Sequence, residues 1–136
     1  MSVGVQNSVK NEAVFVFTAL DFLSTFFSVL KKENVNIVSA AKLFESIGRH
    51  RESYLPIFID IDVINNGGTI YSHDLEEGLS MLQIIGAVGK ANPKFERIIL
   101  KMHKEEADVF IDDCPEPYRN YVINFANEYL KETKES

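Results

Sequence analysis

The apolar run from Ala13 to Leu30, AVFVFTALDFLSTFFSVL, constrains the fold more than any other stretch, because its length approaches that of a membrane span. Asp21 lies near its middle, where a carboxylate costs about 2.5–3.5 kcal/mol inside a bilayer. Polar residues recur along the run at helical spacing and form one narrow stripe, which comprises Thr18, Asp21, Thr25, Ser28 and Lys32. A helix with one edge in water needs such a stripe and a membrane span does not, so we expect a soluble, cytoplasmic protein. A signal peptide is not expected either, since Glu12 precedes the run and no cleavage site of small residues follows it.

The same run predicts the first helix, from about Asn11 to Lys32, with Asn11 as its N-cap. Its apolar residues occupy two flanks of the helical wheel. One flank comprises Phe15, Ala19, Phe22, Phe26 and Val29, and the other comprises Val16, Leu20, Leu23, Phe27 and Leu30. A helix that is apolar on two flanks is either the central helix of the fold or part of a subunit interface. We expect a homodimer that uses this helix, with an interface comprising Phe15, Phe22, Phe26 and Phe27.

Length and composition are those of one globular domain, which we place at residues 11–133 after a loose lead-in at residues 1–10. Apolar residues make up 46% of the 136 residues and charged residues 25%, so a packed core is expected rather than disorder. The net charge of −6 counts against general binding to nucleic acids or anionic membranes. Cys114 is the only cysteine, which excludes an intrachain disulfide and fits a reducing compartment.

Two serines predict the starts of further helices. Ser39 can cap a helix over SAAKLFESIG that ends at Gly48. Ser72 can cap another that ends at Gly86, and its first turns carry acids, which are favoured there: Asp74, Glu76 and Glu77. The buried face of this helix is expected to comprise Leu75, Leu79, Leu82 and Ile85. The segments KEEADVFIDD and EPYRNYVINFANEYLKE predict two more helices.

Two apolar segments fit either a helix or a strand. Over residues 54–64, alternation indicates a strand, whereas Ser53 as a cap and Pro56 in the first turn indicate a helix, which we favour. Over residues 94–102, alternating apolar residues indicate a strand, but the sequence Asn92–Pro93 is equally typical of a helix start. The sequence leaves this second choice open.

The segment DIDVINNGGTIYSHDLEEGL, residues 60–79, has the composition of a calcium-binding EF-hand loop. Such a loop needs oxygen ligands at positions 1, 3, 5 and 12 and a glycine at position 6. With Gly68 at position 6, position 1 is Val63; with Gly67 there, position 3 is Ile64. Neither register supplies the ligands. We interpret the Asn-Asn-Gly-Gly sequence as a turn that ends one element before the capped helix.

No other part of the sequence indicates a chemical site. The histidines, His50, His73 and His103, have no metal-ligand spacing to one another or to Cys114. Acids surround Cys114 and would raise the pKa of its thiol, which makes it a poor nucleophile. No phosphate-binding loop is present in the sequence. We therefore expect no catalytic residue, no metal and no cofactor, and we lean against an enzyme.

The order of elements from Gly67 to Met102 is typical of a winged helix: a short β segment, a capped helix, a glycine and a two-stranded wing. We predict a mostly helical α+β fold, winged-helix-like with one small β-hairpin, and keep an all-helical bundle of five to six helices as the alternative. The wing is basic, with Lys90, Lys94, Arg97, Lys101 and Lys104 against the single acid Glu96. These residues, together with Arg49 and Arg51 at an earlier turn, are candidate contacts to nucleic acid or to another partner.

The helix that would enter a DNA groove argues against a DNA reader. It has no lysine, arginine or asparagine between Ser72 and Ile85, and its acids lie at the end where base and phosphate contacts are made. We therefore expect a small non-catalytic regulatory or adaptor protein that binds another protein and no membrane. A DNA-binding transcriptional regulator with a basic wing is the alternative. A third hypothesis is that the acidic segment EEADVFIDDCPEPY mimics nucleic acid and blocks a basic partner.

Overall fold

The computed structural model describes residues 16–91 and 96–134, which form six helices and five short strands. In chain order these are α1 (Ala19–Lys32), β1 (Ile37–Ser39), α2 (Ala40–His50), α3 (Leu55–Phe58), β2 (Ile64–Asn66), β3 (Thr69–Tyr71), α4 (His73–Ile84), β4 (Val88–Lys90), β5 (Arg97–Leu100), α5 (Lys104–Asp113) and α6 (Tyr118–Lys134). The strands form a three-stranded and a two-stranded antiparallel sheet. The predicted mostly helical α+β class is confirmed, and the all-helical alternative is wrong. The lead-in predicted at residues 1–10 lies outside the described residues.

Helix α1 begins at Ala19 because Thr18 caps it. The Thr18 hydroxyl accepts a hydrogen bond from Asp21 N at 3.1 Å, and the Asp21 carboxylate accepts one from Thr18 N at 2.9 Å. This reciprocal capping box satisfies two backbone N–H groups that a helix start leaves without partners. Residues 16–18 are not helical, so the continuous helix predicted from Asn11 is wrong there. Asn11 itself lies outside the described residues.

Helix α1 is the central helix of the fold. Phe22, Phe26 and Phe27 are fully buried, and the Phe22 ring packs against Phe58 with a centroid distance of 5.0 Å. Helices α4, α5 and α6 all pack against α1. The homodimer interface predicted on these phenylalanines is therefore wrong, because the chain's own core contains the three side chains. Phe15, the fourth residue of that interface, lies outside the described residues.

Helix α2 begins as predicted, since the Ser39 hydroxyl accepts a hydrogen bond from Lys42 N at 3.3 Å. It does not end at Gly48 but continues to His50. Gly48 instead permits close packing, because a Cβ there would lie 3.1 Å from Cδ1 of Ile70 in β3. Because Gly48 has no side chain, α2 can pack closely against the two-stranded sheet.

The segment over residues 54–64 contains the short helix α3 and the start of β2. The favoured helical interpretation is confirmed for Leu55–Phe58, but the cap is not Ser53, since Tyr54 occupies the N-cap position. Strands β2 and β3 then form a hairpin whose two turn residues, Gly67 and Gly68, have φ values of 63° and 90°. Positive φ at both turn residues is what a type I′ hairpin turn requires, and glycine adopts it without steric cost. The Asn-Asn-Gly-Gly sequence is therefore a hairpin turn rather than the end of a helix.

The β1-β5-β4 sheet lies beside the C-terminal end of α4. Helix α4 begins at the predicted cap, Ser72, whose hydroxyl accepts a hydrogen bond from Leu75 N at 3.1 Å. The strand interpretation of residues 94–102 is confirmed for Arg97–Leu100, where the helical alternative is wrong. Pairing on both sides of β5 provides the hydrogen bonds that decide this choice. Residues 92–95, between β4 and β5, lie outside the described residues.

Helices α5 and α6 occupy the two last segments that were predicted to be helical. Buried apolar side chains from these helices, from α1, α2, α3 and α4, and from the three-stranded sheet form one cluster. Within the described parts of the chain, no helix has both the length and the apolar character needed to cross a membrane.

Candidate functional site

Helix α4 presents an apolar C-terminal half to solvent. Its inward side is buried and comprises Leu75, Leu79 and Leu82. On the outward side Met81 is 47% exposed and Ile84 is 83% exposed. Ile85, expected on the buried face, is instead 65% exposed, because the helix ends there and Ile85 is its C-cap residue. Full burial of one such side chain is worth about 1.5–3 kcal/mol, and neighbouring exposed apolar residues are typical of an interaction surface.

A groove of about 380 Å³ separates the N-terminal end of α1 from α4. Its lining comprises Val16, Thr18, Ala19, Leu20, Asp60, Asp74, Glu77, Gly78 and Met81. The two helices approach closely here because Gly78 has no side chain; a Cβ on Gly78 would lie 3.0 Å from Cδ1 of Leu23. The groove is lined by apolar side chains of both helices and by three carboxylates, those of Asp60, Asp74 and Glu77.

Two further grooves continue this surface. One, of about 330 Å³, lies between α1 and α5 and shares Leu20 with the first groove. The other, of about 60 Å³, shares Phe110 with the second and includes Ile85. We call the three grooves together the acid–apolar surface. Its carboxylates are Asp21, Asp60, Asp74, Glu77, Glu106 and Asp113.

The charge of the acid–apolar surface has one sign. Of the described residues that line the three grooves, none is a lysine, an arginine or a histidine. The six carboxylates also form no ion pair within the described residues. Some of them accept backbone hydrogen bonds, as Asp74 does from Asp62 N at 2.8 Å and Glu106 from His103 N at 2.8 Å. Such bonds stabilise the carboxylates without neutralising their charge.

Two of the predicted basic contact residues, Arg97 and Lys101, lie on one face of the three-stranded sheet, because they alternate along the chain with the buried Ile98 and Leu100. Lys90, Arg97 and Lys101 are exposed at β4, β5 and the residue after β5. The Lys101 side chain runs across Gly89, where a Cβ would lie 3.2 Å from its Cδ. Lys90 pairs with Ile98, so its side chain belongs to the other face of the sheet, at the end of β4. We call Arg97 and Lys101 the basic sheet face. Lys94, also predicted there, lies outside the described residues.

The other predicted basic contacts lie elsewhere and are engaged within the chain. Lys104 donates a hydrogen bond to the Asn34 side chain at 2.7 Å. Arg51 donates to the Ile61 carbonyl at 2.7 Å. Helix α2 starts at the sheet, and Arg49 lies nine residues further along it, about 14 Å away at 1.5 Å per residue. The structure therefore does not bring Arg49 and Arg51 to the basic sheet face.

A polar cluster that the sequence did not indicate joins α2 to α6. The Glu132 carboxylate accepts hydrogen bonds from Arg49 at 2.8 Å and from Ser46 at 3.3 Å, and it also contacts His50. Burial raises the pKa of Glu132, but the hydrogen bond and charge of His50, with Arg49 and Ser46, outweigh it and leave the pKa lowered. Ser46 donates to the carboxylate and not to His50, so the cluster lacks the serine–histidine contact that activates a nucleophile. The cluster links α2 to α6 through these contacts.

The remaining candidates have local structural roles. Asn65 accepts a hydrogen bond from Gly68 N at 3.1 Å within the hairpin turn. Cys114 is buried, and burial raises the pKa of its thiol. No group of three or more metal-ligating side chains occurs within residues 16–91 and 96–134. Of the acids on α5, Asp108 pairs with Lys32 at 2.6 Å.

Comparison with known proteins finds no matching family model, no similar curated protein and no similar solved structure.

Proposed function

We propose that this chain is a small non-catalytic regulatory or adaptor protein that acts by binding another protein on a winged-helix-like scaffold. The binding face in this proposal is the exposed side of α4 with its apolar C-terminal half. One observation carries the proposal: the outward side of this helix combines the exposed Met81, Ile84 and Ile85 with acids and has no lysine or arginine. We place the protein in the cytoplasm, in keeping with its single cysteine.

The element order supports the winged-helix-like part of the proposal. Leaving out α3 and the β2–β3 hairpin, the chain runs α1, β1, α2, α4, β4, β5, and the sheet order is β1-β5-β4. In this arrangement α4 corresponds to the helix that a DNA-binding relative would place in the major groove. The N-terminal half of such a helix contacts DNA, and here it carries Asp74, Glu76 and Glu77. These acids would repel phosphates, whereas the apolar half suits a protein surface.

A photo-reactive amino acid in place of Ile84 tests this proposal in an extract of the source organism. We expect covalent adducts with a protein. The matched control carries the same group in place of Glu52, an exposed residue outside the grooves described above. Adducts with nucleic acid alone, or equal protein adducts from positions 84 and 52, would contradict the proposal.

A DNA-binding regulator is the second candidate function, and the basic sheet face is the observation that favours it. Phosphate contacts by Arg97 and Lys101 would make binding fall with salt, with a slope of about 0.9 per neutralised phosphate. Charge reversal at Lys94, Arg97 and Lys101 should then weaken binding to any duplex. Absence of a mobility shift with mixed duplex DNA at low salt would dispose of this function.

A further inference from the structure

We propose that the partner of the acid–apolar surface is a basic amphipathic helix of another protein, with apolar anchors in the three grooves and lysines or arginines beside the six carboxylates. This inference rests on the proposed protein-binding function and adds the chemistry of the partner. It concerns a larger surface than α4 alone, since α1 and α5 supply the other walls of the grooves.

The arrangement of the grooves indicates a helical ligand. The first and second grooves meet at Leu20, and the second and third meet at Phe110, so the three form a connected series. Amphipathic helices bind such surfaces through side chains spaced three or four residues apart, each of which fills one hollow. Met81 and Ile85, both well exposed, offer apolar contacts at the first and third grooves.

The charge identifies the partner's polar residues. The described lining contains six carboxylates and no lysine, arginine or histidine, so a ligand with flanking positive charge gains attraction at every groove. Nucleic acids and anionic lipid surfaces are negatively charged, so the six carboxylates would repel them. A second copy of this chain that used the same face would bring like carboxylates together. A basic segment of a different protein is the occupant that fits both the apolar lining and the charge.

A pair of synthetic peptides provides the test. Each has about 18 residues, or five helical turns, with leucines on one face and either lysines or glutamates on the other. Fluorescence anisotropy with the full chain should show binding of the leucine–lysine peptide at least about tenfold tighter than that of the leucine–glutamate peptide. The preference should shrink as salt is raised, because the Debye length falls from about 10 Å at 0.1 M to about 3 Å at 1 M.

Three variants locate the binding. Glu77→Lys and Met81→Asp should each weaken the leucine–lysine peptide about tenfold, as loss of a central contact does. Glu52→Lys is the matched control, since it makes the same charge change outside the grooves, and it should leave the affinity unchanged. Thermal melting of each variant checks that it remains folded. Equal weakening by Glu52→Lys and Glu77→Lys would show general attraction to an acidic protein and would overturn the proposal.

Failure of this inference can be told apart from failure of the proposed function. If both peptides bind equally and Met81→Asp weakens both, α4 is a protein-binding face but the partner is not basic. If neither peptide binds while position 84 cross-links to a protein, the helical basic partner is likewise wrong and the function stands. A photo-reactive group in place of Ile85 identifies the occupant directly: a link to the leucine–lysine peptide supports the inference. Links only within the chain or to a second copy overturn it.

Discussion

Asn34 ends helix α1 in the left-handed conformation, with a φ of 67°. The backbone N–H of Val35 reaches the Leu30 carbonyl at 3.0 Å and that of Asn34 reaches the Lys31 carbonyl at 2.9 Å, which is the Schellman pattern of a helix end. This conformation directs the chain from the central helix into β1. One backbone angle at one residue therefore sets the geometry between the core helix and the sheet.

Asn34→Ala and Asn34→Gly should separate the backbone effect from the side-chain effect. An alanine side chain cannot form the local hydrogen bonds that offset the steric cost of the left-handed backbone conformation. We therefore expect Asn34→Ala to lower the free energy of unfolding by about 1 kcal/mol. Glycine adopts the conformation freely and loses only the exposed hydrogen bond from Lys104, so a change within about 0.5 kcal/mol is expected. Urea denaturation measures both. Equal losses in the two variants would mean that the backbone angle is not responsible.

Glu132 should make stability depend on pH. Its pKa in the folded protein lies below the ordinary value of 4.5, so it binds protons more weakly when folded than when unfolded. Its contribution is therefore fully present above about pH 4.5 and is lost as the pH falls through the lower folded pKa. Glu132→Gln should cost about 1 kcal/mol at pH 7, and this cost should shrink in acid. Glu45→Gln, in the exposed part of α2, is the control; a pH-independent cost for Glu132→Gln would contradict the interpretation.

At the scale of elements, the crossing of α1 and α4 positions the walls of the first groove. Gly78 lies at this crossing, with Cδ1 of Leu23 at 3.0 Å and the backbone N of Leu20 at 3.4 Å from the place of a Cβ. Glycine is a poor helix former, so its presence in the middle of α4 reflects the close approach of α1. The sequence alone marks this position only as a helical glycine.

Gly78→Ala tests which of two opposing effects is larger. The better helix propensity of alanine would add about 1 kcal/mol to stability, whereas overpacking against the buried Leu23 costs about 1–3 kcal/mol. The tight contact is with the side-chain end of Leu23, which is fully buried and has little room to move, so we expect a net loss of about 1 kcal/mol. Ser80→Ala in the exposed part of the same helix should instead be neutral or slightly stabilising. Thermal and urea unfolding of both variants measures the difference, and a more stable Gly78→Ala variant would show that α1 and α4 are further apart.

At the scale of the whole molecule, the surface is divided by charge. The acid–apolar surface is formed by α1, α4 and α5, and the basic sheet face lies along β5 and the residue that follows it. Charged surfaces of opposite sign on one molecule steer charged partners to different faces. This steering changes the rate and the specificity of association more than the binding affinity. On the two functions proposed above, the acid–apolar surface would bind a basic partner and the basic sheet face an anionic one.

The homodimer stays a prediction, but its interface has to be elsewhere than on Phe22, Phe26 and Phe27. The β2–β3 hairpin is the alternative we propose, because Ile64 and Tyr71 pair across it and are 49% and 41% exposed, and a two-stranded sheet leaves edges for pairing. Sedimentation at micromolar concentration should show a dimer, and Ile64→Asp should dissociate it. A wild-type chain that sediments only as a 15.4 kDa species would remove the homodimer hypothesis.

Local sequence signals predicted the starts of α2 and α4, where a serine side chain forms the cap. Ser39 and Ser72 begin α2 and α4 as expected, because an N-cap hydrogen bond joins residues three apart and is readable from the sequence. The start of α1 was placed too early because apolar periodicity extends beyond the Thr18–Asp21 capping box. The candidate surface could be predicted only in part: the acids of α4 were evident, but the exposure of Ile85 depends on where the helix ends.

The sequence by itself determined the mostly helical character of the chain, the two serine caps and the acidic start of α4, since these depend on spacings of a few residues. The tertiary structure alone decided the rest. The strand at Arg97–Leu100 exists because β1 and β4 pair with it, and Gly48 and Gly78 are explained by elements that cross them. The partners of Glu132 and the union of three grooves likewise join residues far apart in the chain. Such contacts depend on which surfaces meet on folding, and short-range patterns in the sequence do not contain that information.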